Sequence, residues 1–290
     1  MLKTENEPKN TIFVANTTLN CKGKLVNLTK AQVMGIVNVS PDSFYSGSRA
    51  QNLAAILRQT EAHINAGATF IDVGGMSSRP GAEIISIAEE IRRVIPAITQ
   101  IRARFPAVLL SIDTVHSKVA REAVGAGACM VNDISAGSLD ADLFATVAEL
   151  GVPYVLMHMQ GKPKNMQDKP TYTDIIPELL QFFAHKIKAL QAAGVHDIIV
   201  DPGFGFGKSL VQNHEILHQL DSFSMLERPL LVGISRKSMV YKALGVNPEK
   251  ALNGTTALHT IALLKGAKIL RVHDVQEAVE VIKLLEVVGG

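Results

Sequence analysis

The chain reads as an α/β protein: a single closed (β/α)8 barrel preceded by an N-terminal β-hairpin. Apolar or β-branched runs begin near residues 32, 69, 108, 129, 153, 197, 230 and 267, and most are separated by a stretch of helical periodicity. Eight alternations in about 260 residues match the size and rhythm of such a barrel. A doubly wound sheet would also alternate, since sequence does not show closure, but size and rhythm favour the barrel. The third observation is the polar chemistry that follows the apolar runs, taken up below.

In chain order, residues 1–10 are polar and read as a flexible tail, leaving 11–290 as one barrel domain. Ile12–Leu19 and Lys24–Leu28 flank Asn20-Cys-Lys-Gly23, a turn-like cluster, and predict a hairpin cap. Helical periodicity covers 52–66, 86–104, 117–125, 139–150, 174–193, 255–265 and 275–287. Ser86 with Glu89 three residues on has the form of a capping box. No composition shift or low-complexity segment marks a second domain.

With 47% hydrophobic residues and no tryptophan, the core should be large and aliphatic. Net charge is +2, and Lys and Arg are spread rather than clustered, so no nucleic-acid footprint is visible. Met1–Thr18 lacks the apolar stretch of a secretory signal, and no apolar run approaches the ~18 residues of a membrane span. These features predict a soluble cytoplasmic protein without a membrane partner. Cys21 and Cys129 have no C-x-x-C spacing and read as reduced structural thiols.

The strand ends carry the chemistry. In order they present Asn38, the loop Gly74–Gly81, Asp113, Asn132 with Asp133, His158, Asp201, Ser235-Arg236-Lys237-Ser238 and Arg271-Val272-His273-Asp274. Asp and Asn also cap helices and satisfy turn amides, which accounts for any one of these positions as well as function does. Helix caps do not require Arg and His on the last strand, Lys in the seventh loop, or loops as long as 40–49 and 74–81. On a barrel all eight ends converge on one face. Asp201-Pro-Gly-Phe-Gly-Phe-Gly-Lys208 invites a nucleotide reading, but G-x-G-x-G is not the dinucleotide fingerprint, and Pro202 stands where a Walker loop needs glycine.

These residues sort into two halves. Asp113, Asn132, Asp201 and Lys237 offer carboxylate and amide groups with one cation, suited to a flat heterocycle rich in N–H groups. Asn38, Ser77, Ser78, Arg79, Arg271 and His273 offer cations and small donors, suited to a phosphate or diphosphate, with Mg²⁺ as a natural companion. Met157 and Phe206 read first as packing residues; if they border the site, they would sandwich a planar ligand. His158 has no second ligand at helical spacing and reads as structural or gating, while His63, His116, His185, His196, His214, His218 and His259 fit helix faces or ends. Lys208 receives no catalytic role.

The ordered motifs Met34-Gly-Ile-Val-Asn38-Val-Ser-Pro-Asp-Ser-Phe44, Asp72-Val-Gly-Gly, Ser78-Arg-Pro-Gly81, Ser111-Ile-Asp113-Thr, Val131-Asn-Asp-Ile134, His158-Met-Gln-Gly161, Asp201–Lys208, Gly233-Ile-Ser-Arg-Lys-Ser238 and Arg271-Val-His-Asp-Val275 resemble the dihydropteroate synthases, pterin-binding barrels of the TIM type. The resemblance implies condensation of 6-hydroxymethyl-7,8-dihydropterin diphosphate with 4-aminobenzoate in folate synthesis. It makes sulfonamides competitors and a homodimer the expected assembly. Carried over by position, Asp113, Asn132, Asp201 and Lys237 bind the pterin, with Asp113, Asp201 and Lys237 catalytic. Asn38, Ser78, Arg79, Arg271 and His273 form the diphosphate end, Asn38 as the Mg²⁺ ligand. Pro80, Phe206, Lys237 and Ser238 wall or anchor 4-aminobenzoate.

Two positions depart from the family pattern. Ser46 replaces an acidic residue of the first loop, and Met76 replaces a glutamate of the second, where Ser78 also stands for threonine. The departures bear on loop closure, metal affinity and sulfonamide response. Two other functions share the pterin pocket: a pterin-dependent methyltransferase and a non-catalytic pterin-binding paralogue. The first has no use for the anion end.

Overall fold

The computed structural model describes residues 17–39, 49–76, 84–161 and 171–289; the predicted tail and the two departing-loop segments 40–48 and 77–83 lie outside them. Strands β1 (Thr18–Cys21) and β2 (Lys24–Asn27) pair antiparallel as the predicted hairpin. The turn is shorter than the Asn20–Gly23 cluster suggested, because pairing continues to Cys21 opposite Lys24. Lys22 and Gly23 both take positive φ, 53° and 87°, as a two-residue hairpin loop requires. The Asn20 carboxamide oxygen accepts from the Gly23 N–H at 2.7 Å and fixes that loop.

Eight parallel strands then close a barrel: β3 (Gln32–Asn38), β4 (Phe70–Gly74), β5 (Leu109–Asp113), β6 (Met130–Asp133), β7 (Tyr154–Met157), β8 (Ile198–Asp201), β9 (Leu230–Val232) and β10 (Ala267–Val272). β10 pairs with both β9 and β3, which settles closure against the doubly wound alternative. Around it run α1 (Arg49–Asn65), α2 (Ile87–Arg104), α3 (Ser117–Ala126), α4 (Leu143–Leu150), α5 (Ile175–Ala193), α6 (Leu210–His218), α7 (Ser238–Leu244), α8 (Leu252–Leu264) and α9 (Val275–Gly289).

Each departure from the expected helices has a local cause. α4 starts at Leu143 rather than 139 because the Asp140 carboxylate is engaged elsewhere, accepting from Ser117 N–H at 2.7 Å and Asp142 N–H at 3.0 Å. α8 begins three residues early through Gly254, where a Cβ would stand 2.6 Å from Leu244 Cδ1. Close approach of α7 explains a glycine in mid-helix. At α2, Ser86 caps by accepting from Glu89 N–H at 3.3 Å, but the Glu89 carboxylate turns to Arg92 and Arg93 instead of completing the box. The reciprocal box occurs at Ser209 and Gln212, at the head of α6.

Two hydrophobic compartments hold the fold. One lies between barrel and helices, around Val37, Val73, Ile98, Ile112, Leu143 and Val200. The other fills the N-terminal half of the barrel with Met34, Phe70, Leu109, Met130, Ile199 and Ile269, and the hairpin side chains Leu19, Val26 and Leu28 cap it. Burying Leu28 completely contributes about 1.5–3 kcal/mol by itself. Cys21 and Cys129 belong to this compartment as free, buried thiols. His63 lies in the last turn of α1, a helix end as expected, but is buried with Nε2 3.1 Å from the Ile36 carbonyl, and His259 is buried within α8 rather than on a solvated face. Among the described residues, no helix is long and apolar enough to cross a membrane.

Candidate active site

Strand register assembles the site. Asn38 lies opposite Gly74, Gly74 opposite Asp113, and Asp113 opposite Asn132, so these residues form one row across β3 to β6 at the C-terminal mouth. Two residues after three members of the row come Met76, Val115 and Ile134. Side chains two apart share a face, and these three join Met157 and Phe206 in one buried apolar cluster. A polar layer therefore carries an apolar wall above it on the β4–β8 side. Phe206 and Met157, read first as packing residues, are both packed and at the site.

Arg271 reaches across the barrel interior from β10. Its Nε donates to Asp72 Oδ2 at 2.7 Å, and its Nη2 donates to Asp113 Oδ2 at 2.8 Å. Asn132 Nδ2 donates to the same Asp72 oxygen at 2.9 Å. The arginine assigned to the anion half and two residues assigned to the ring half thus form one network, with Asp72 fully buried at its centre. Burial pushes Asp113 up to about 7; Arg271 opposes that shift, while Asp72, Glu90 and Asp133 reinforce it.

Asp201 is also raised by burial, against the pull of Lys237, the Gly203 N–H, Arg271 and Lys208. Its Oδ1 accepts from Gly203 N–H at 2.7 Å, which turns the loop after β8 sharply back. Lys237 donates to the Phe204 carbonyl at 2.6 Å and stands 4.6 Å over the Phe206 ring. Burial lowers it to about 8, with Asp201 opposing. Ser238 follows directly as the first residue of α7.

His273 is exposed at the rim of the mouth. Its backbone N–H donates to Ser235 Oγ at 3.2 Å, and its ring Nδ1 lies 3.2 Å from the same oxygen. Desolvation at the crowded mouth and the charge of Arg271 hold it below its ordinary value. Its place at the mouth is open to a ligand from the anion half. Ser77, Ser78, Arg79 and Pro80 lie outside the described residues.

Other strand-end residues prove to be framework. Asp133 points away from Asn132, accepting from Tyr154 O–H at 2.5 Å and from the Ser135 and Gly137 N–H groups at 2.7 Å. Arg236, at φ 55°, clamps Asp274 through Nε and Nη2 at 2.8 and 2.9 Å and reaches the Pro248 and Glu249 carbonyls, tying the loops after β9 and β10 together. His158 is buried, burial and Lys208 lower it to about 2, and its Nδ1 lies 3.1 Å from Lys208 Nζ. This matches a structural histidine.

A profile of pterin-binding enzymes matches residues 34–273. The dihydropteroate synthase of Escherichia coli K12 is 45% identical over 270 residues, covering 92% of this chain and 95% of that one. The chain belongs to the dihydropteroate synthase family. Among solved family structures, the Yersinia pestis synthase in a sulfonamide drug complex superposes with a TM-score of 0.88 at 43% identity, covering 94% of this chain and 99% of that one. The Xanthomonas albilineans synthase with 4-aminobenzoic acid gives 0.87 at 39% identity, covering 94% and 98%.

Sequence reasoning assigned no role to two residues that organise this synthase-family pocket. Asp72 carried a usable signal, an acid in mid-strand, because a buried carboxylate needs a partner. Lys208 was set aside with the phosphate-loop comparison. It is almost fully buried, and its Nζ lies 2.9 Å from the Gly203 carbonyl, 3.0 Å from that of Phe206, 3.2 Å from that of His158 and 3.1 Å from His158 Nδ1. Burial lowers it to about 7, with Asp201 opposing. These contacts suit an ammonium donating into the glycine loop.

Proposed function

We propose that this chain joins 6-hydroxymethyl-7,8-dihydropterin diphosphate to 4-aminobenzoate, releasing diphosphate and forming 7,8-dihydropteroate. One observation carries the reading: the register row and Asp201 set hydrogen-bonding carboxylates and an amide at the C-terminal mouth, next to the apolar cluster of Met76, Val115, Ile134, Met157 and Phe206. Such a pairing suits a flat ring rich in N–H donors. Asp201 and Asn132 would hold the pterin's pyrimidine edge, and Asp113 would face the other side of the ring. Phe206, under the Lys237 ammonium, would wall the aminobenzoate, with Lys237, Ser238 and Pro80 as the other residues assigned to it by the family resemblance.

In the reaction the bond between the pterin methylene and the diphosphate oxygen breaks, and the electron pair leaves with diphosphate. The methylene cation delocalises into the ring, facing the Asp113 and Asp201 carboxylates, and is captured by the arylamine nitrogen. That nitrogen then loses its proton to diphosphate or water. The arylamine is already a nucleophile and needs no activating base. Arg271, His273 and Asn38, with Ser78 and Arg79, would receive the departing anion.

A magnesium ion fits the donor chemistry at Asn38, because a hard amide oxygen stands at the exposed end of β3. Among the described residues, no group of three or more His, Cys, Asp or Glu could hold a metal. The diphosphate and water would therefore supply most of its ligands, as is usual for Mg²⁺. Bound there, it would neutralise charge on the leaving group.

A cytoplasmic homodimer also belongs to this proposal. The exposed Leu264, Leu284, Val287 and Val288 of α8 and α9 offer an apolar face for a second copy. Sulfonamides would compete with 4-aminobenzoate. The direct test is diphosphate release from the pterin diphosphate under Mg²⁺, with and without 4-aminobenzoate. Amine-dependent release supports the synthase. Its absence refutes it in favour of a methyltransferase or a non-catalytic binder.

A further inference from the structure

Helix α2 carries a buried carboxylate that the proposed reaction does not use. Glu90 is fully buried, and its Oε2 lies 2.7 Å from His116 Nδ1. Its Oε1 has no hydrogen-bond partner among the described residues, so the contact with His116 stands almost alone. His116 holds the cap position of α3, yet its side chain makes no cap hydrogen bond and turns to Glu90 instead. The helix dipole opposes a cation at that end. Pairing with Glu90 offsets this, because a buried carboxylate is costly without a cation or donors beside it.

The same stretch of α2 seats the loop after β4. Arg93, about one turn beyond Glu90, donates from Nη1 to the Gly75 carbonyl at 2.9 Å, and its Nε donates to Glu89 Oε1 at 2.6 Å. A Cβ at Gly75 would stand 2.6 Å from Val94 Cγ1, 3.4 Å from Glu90 Cγ and 3.6 Å from Arg93 Cβ, so this backbone rests directly on the helix. Just before it, the Gly74 carbonyl accepts from Val39 N–H at 2.8 Å, and Gly74 lies opposite Asp113 in the register row. Met76, just after it, belongs to the apolar wall with Val115 and Phe206. Val115 immediately precedes His116. The Glu90–His116 pair therefore links the two loops that supply Met76 and Val115 to that wall.

We propose that Glu90 and protonated His116 are positioning residues for 4-aminobenzoate: their ion pair fixes α2 to the loop after β5 and so keeps Met76 and Val115 in the wall beside Phe206. The inference rests on the proposed reaction for the identity of its ligand. The groups facing His116 are all acidic: Glu90 from α2, Asp140 from the segment before α4 and Asp133 from β6. The Glu90 hydrogen bond leads in raising His116 above its ordinary value, against desolvation, and the charges of Glu90, Asp140 and Asp133 add to it. Asp113 on β5, raised first by burial, also feels the Glu90 charge. A raised histidine favours the fold below its unfolded pKa, about 6.5, and that contribution is lost as pH rises through the folded value. Glu90 then lacks its cation, and Arg93 on the same helix would be drawn toward it, releasing the Gly75 carbonyl. Affinity for 4-aminobenzoate should fall over the same limb.

The test uses the full chain. NMR follows the His116 ring signal, identified by its loss in His116→Gln, from about pH 5.5 to 9, with and without diphosphate plus 4-aminobenzoate. Coupling between proton and ligand is reciprocal: if protonation strengthens 4-aminobenzoate binding about fivefold, the ligands must raise the His116 pKa by about 0.7. In steady-state diphosphate release, KM for 4-aminobenzoate should climb about fivefold across the same range, with kcat changing less. His116→Lys keeps a cation throughout and should hold KM at the parent's low-pH value, whereas His116→Gln should show the high value at every pH. Any pH dependence that all three proteins share belongs to the substrates and to Asp113. A His116 pKa that ignores the ligands, or a His116→Gln variant that loses Tm while its KM profile superposes on the parent's, would overturn the proposal. No amine-dependent diphosphate release, with the ligand-induced rise in pKa present, would instead refute the proposed reaction and leave the pair's role in place.

Discussion

Replacing Lys208 by methionine shortens the side chain by one atom and removes every donor. Three carbonyls and His158 Nδ1, all within 3.2 Å of Nζ, then lose this donor in a buried place, and only the Gly203 carbonyl keeps another, the Phe206 N–H at 3.1 Å. An unsatisfied buried acceptor costs about 1–3 kcal/mol, so the other three would cost roughly 3–9 kcal/mol if nothing relaxed. Two effects reduce that figure: methionine no longer buries an ammonium, which removes a desolvation cost of several kcal/mol, and the loop can shift. We expect a net loss of about 3 kcal/mol, or roughly 6–12 °C in Tm. The shift should act on function through Phe206, whose carbonyl Lys208 holds, and through the Phe204 carbonyl that receives Lys237 Nζ at 2.6 Å. The KM for 4-aminobenzoate should therefore rise about tenfold, equivalent to about 1.4 kcal/mol, while pterin affinity changes less. Calorimetric melting and steady-state diphosphate release measure both. A Tm within about 2 °C of the parent together with an unchanged KM would refute the assignment of Lys208 as the post of the glycine loop.

Four other outcomes follow from the same geometry. Asp201→Asn should weaken pterin binding by about 1–3 kcal/mol by removing an acceptor for ring N–H groups; equal affinities in titration calorimetry would rule out the anchor role. Arg271→Ala should relieve inhibition by added diphosphate and also lower Tm, because Asp72 and Asp113 lose their cation; unaltered inhibition would remove Arg271 from the anion end. Asp113, raised to about 7, should make pterin affinity fall as pH drops through that value, and Asp113→Asn should flatten this limb. Stability should run the opposite way: a raised carboxyl favours the fold below its unfolded pKa, near 4, and that contribution is lost as pH rises toward 7. A pH-independent Kd between about 5.5 and 8 would contradict the assignment. Met76→Glu should lower Tm by several degrees, because a carboxylate would enter the cluster of Val115, Ile134, Met157 and Phe206; a neutral or stabilising effect would show that Met76 does not belong to that wall.

The barrel was legible because the backbone periodicities are strong: all eight strand starts fall within about a residue of the apolar runs that announce them. The short helices after β8 and β9 were harder. Ser209-Leu-Val-Gln212 is a readable capping box, but nine residues of α6 and seven of α7 hold too few turns for periodicity to stand out. At the site, Asp113, Asn132, Asp201 and Lys237 were visible as polar groups ending apolar runs. Which of two adjacent residues faces inward was not. Asn132 and Asp133 differ only in pleat, and the structure gives the first to the site and the second to Tyr154. Lys208 and Asp72 were missed for a related reason: their work is to satisfy other groups inside the fold, and such partners are set by tertiary approach.

The division into a ring half and an anion half also changes in physical meaning. Arg271 bonds Asp72 and Asp113 at once, and its charge acts on Asp201, Lys237 and His273. Asp72, Asp113 and Asp201 stand against Lys208, Lys237 and Arg271, so the pocket is close to electrically balanced before substrate enters. A neutral pterin ring disturbs that balance little. A diphosphate drawn to Arg271 would compete with two carboxylates for the same guanidinium, and as negative charge grows on the leaving oxygen the guanidinium would turn from those carboxylates toward it. Once the anion moves away, those carboxylates face the methylene cation without reorganisation. In the proposed reaction the shared arginine would thus link the two ends, its move toward the anion leaving Asp113 to face the cation.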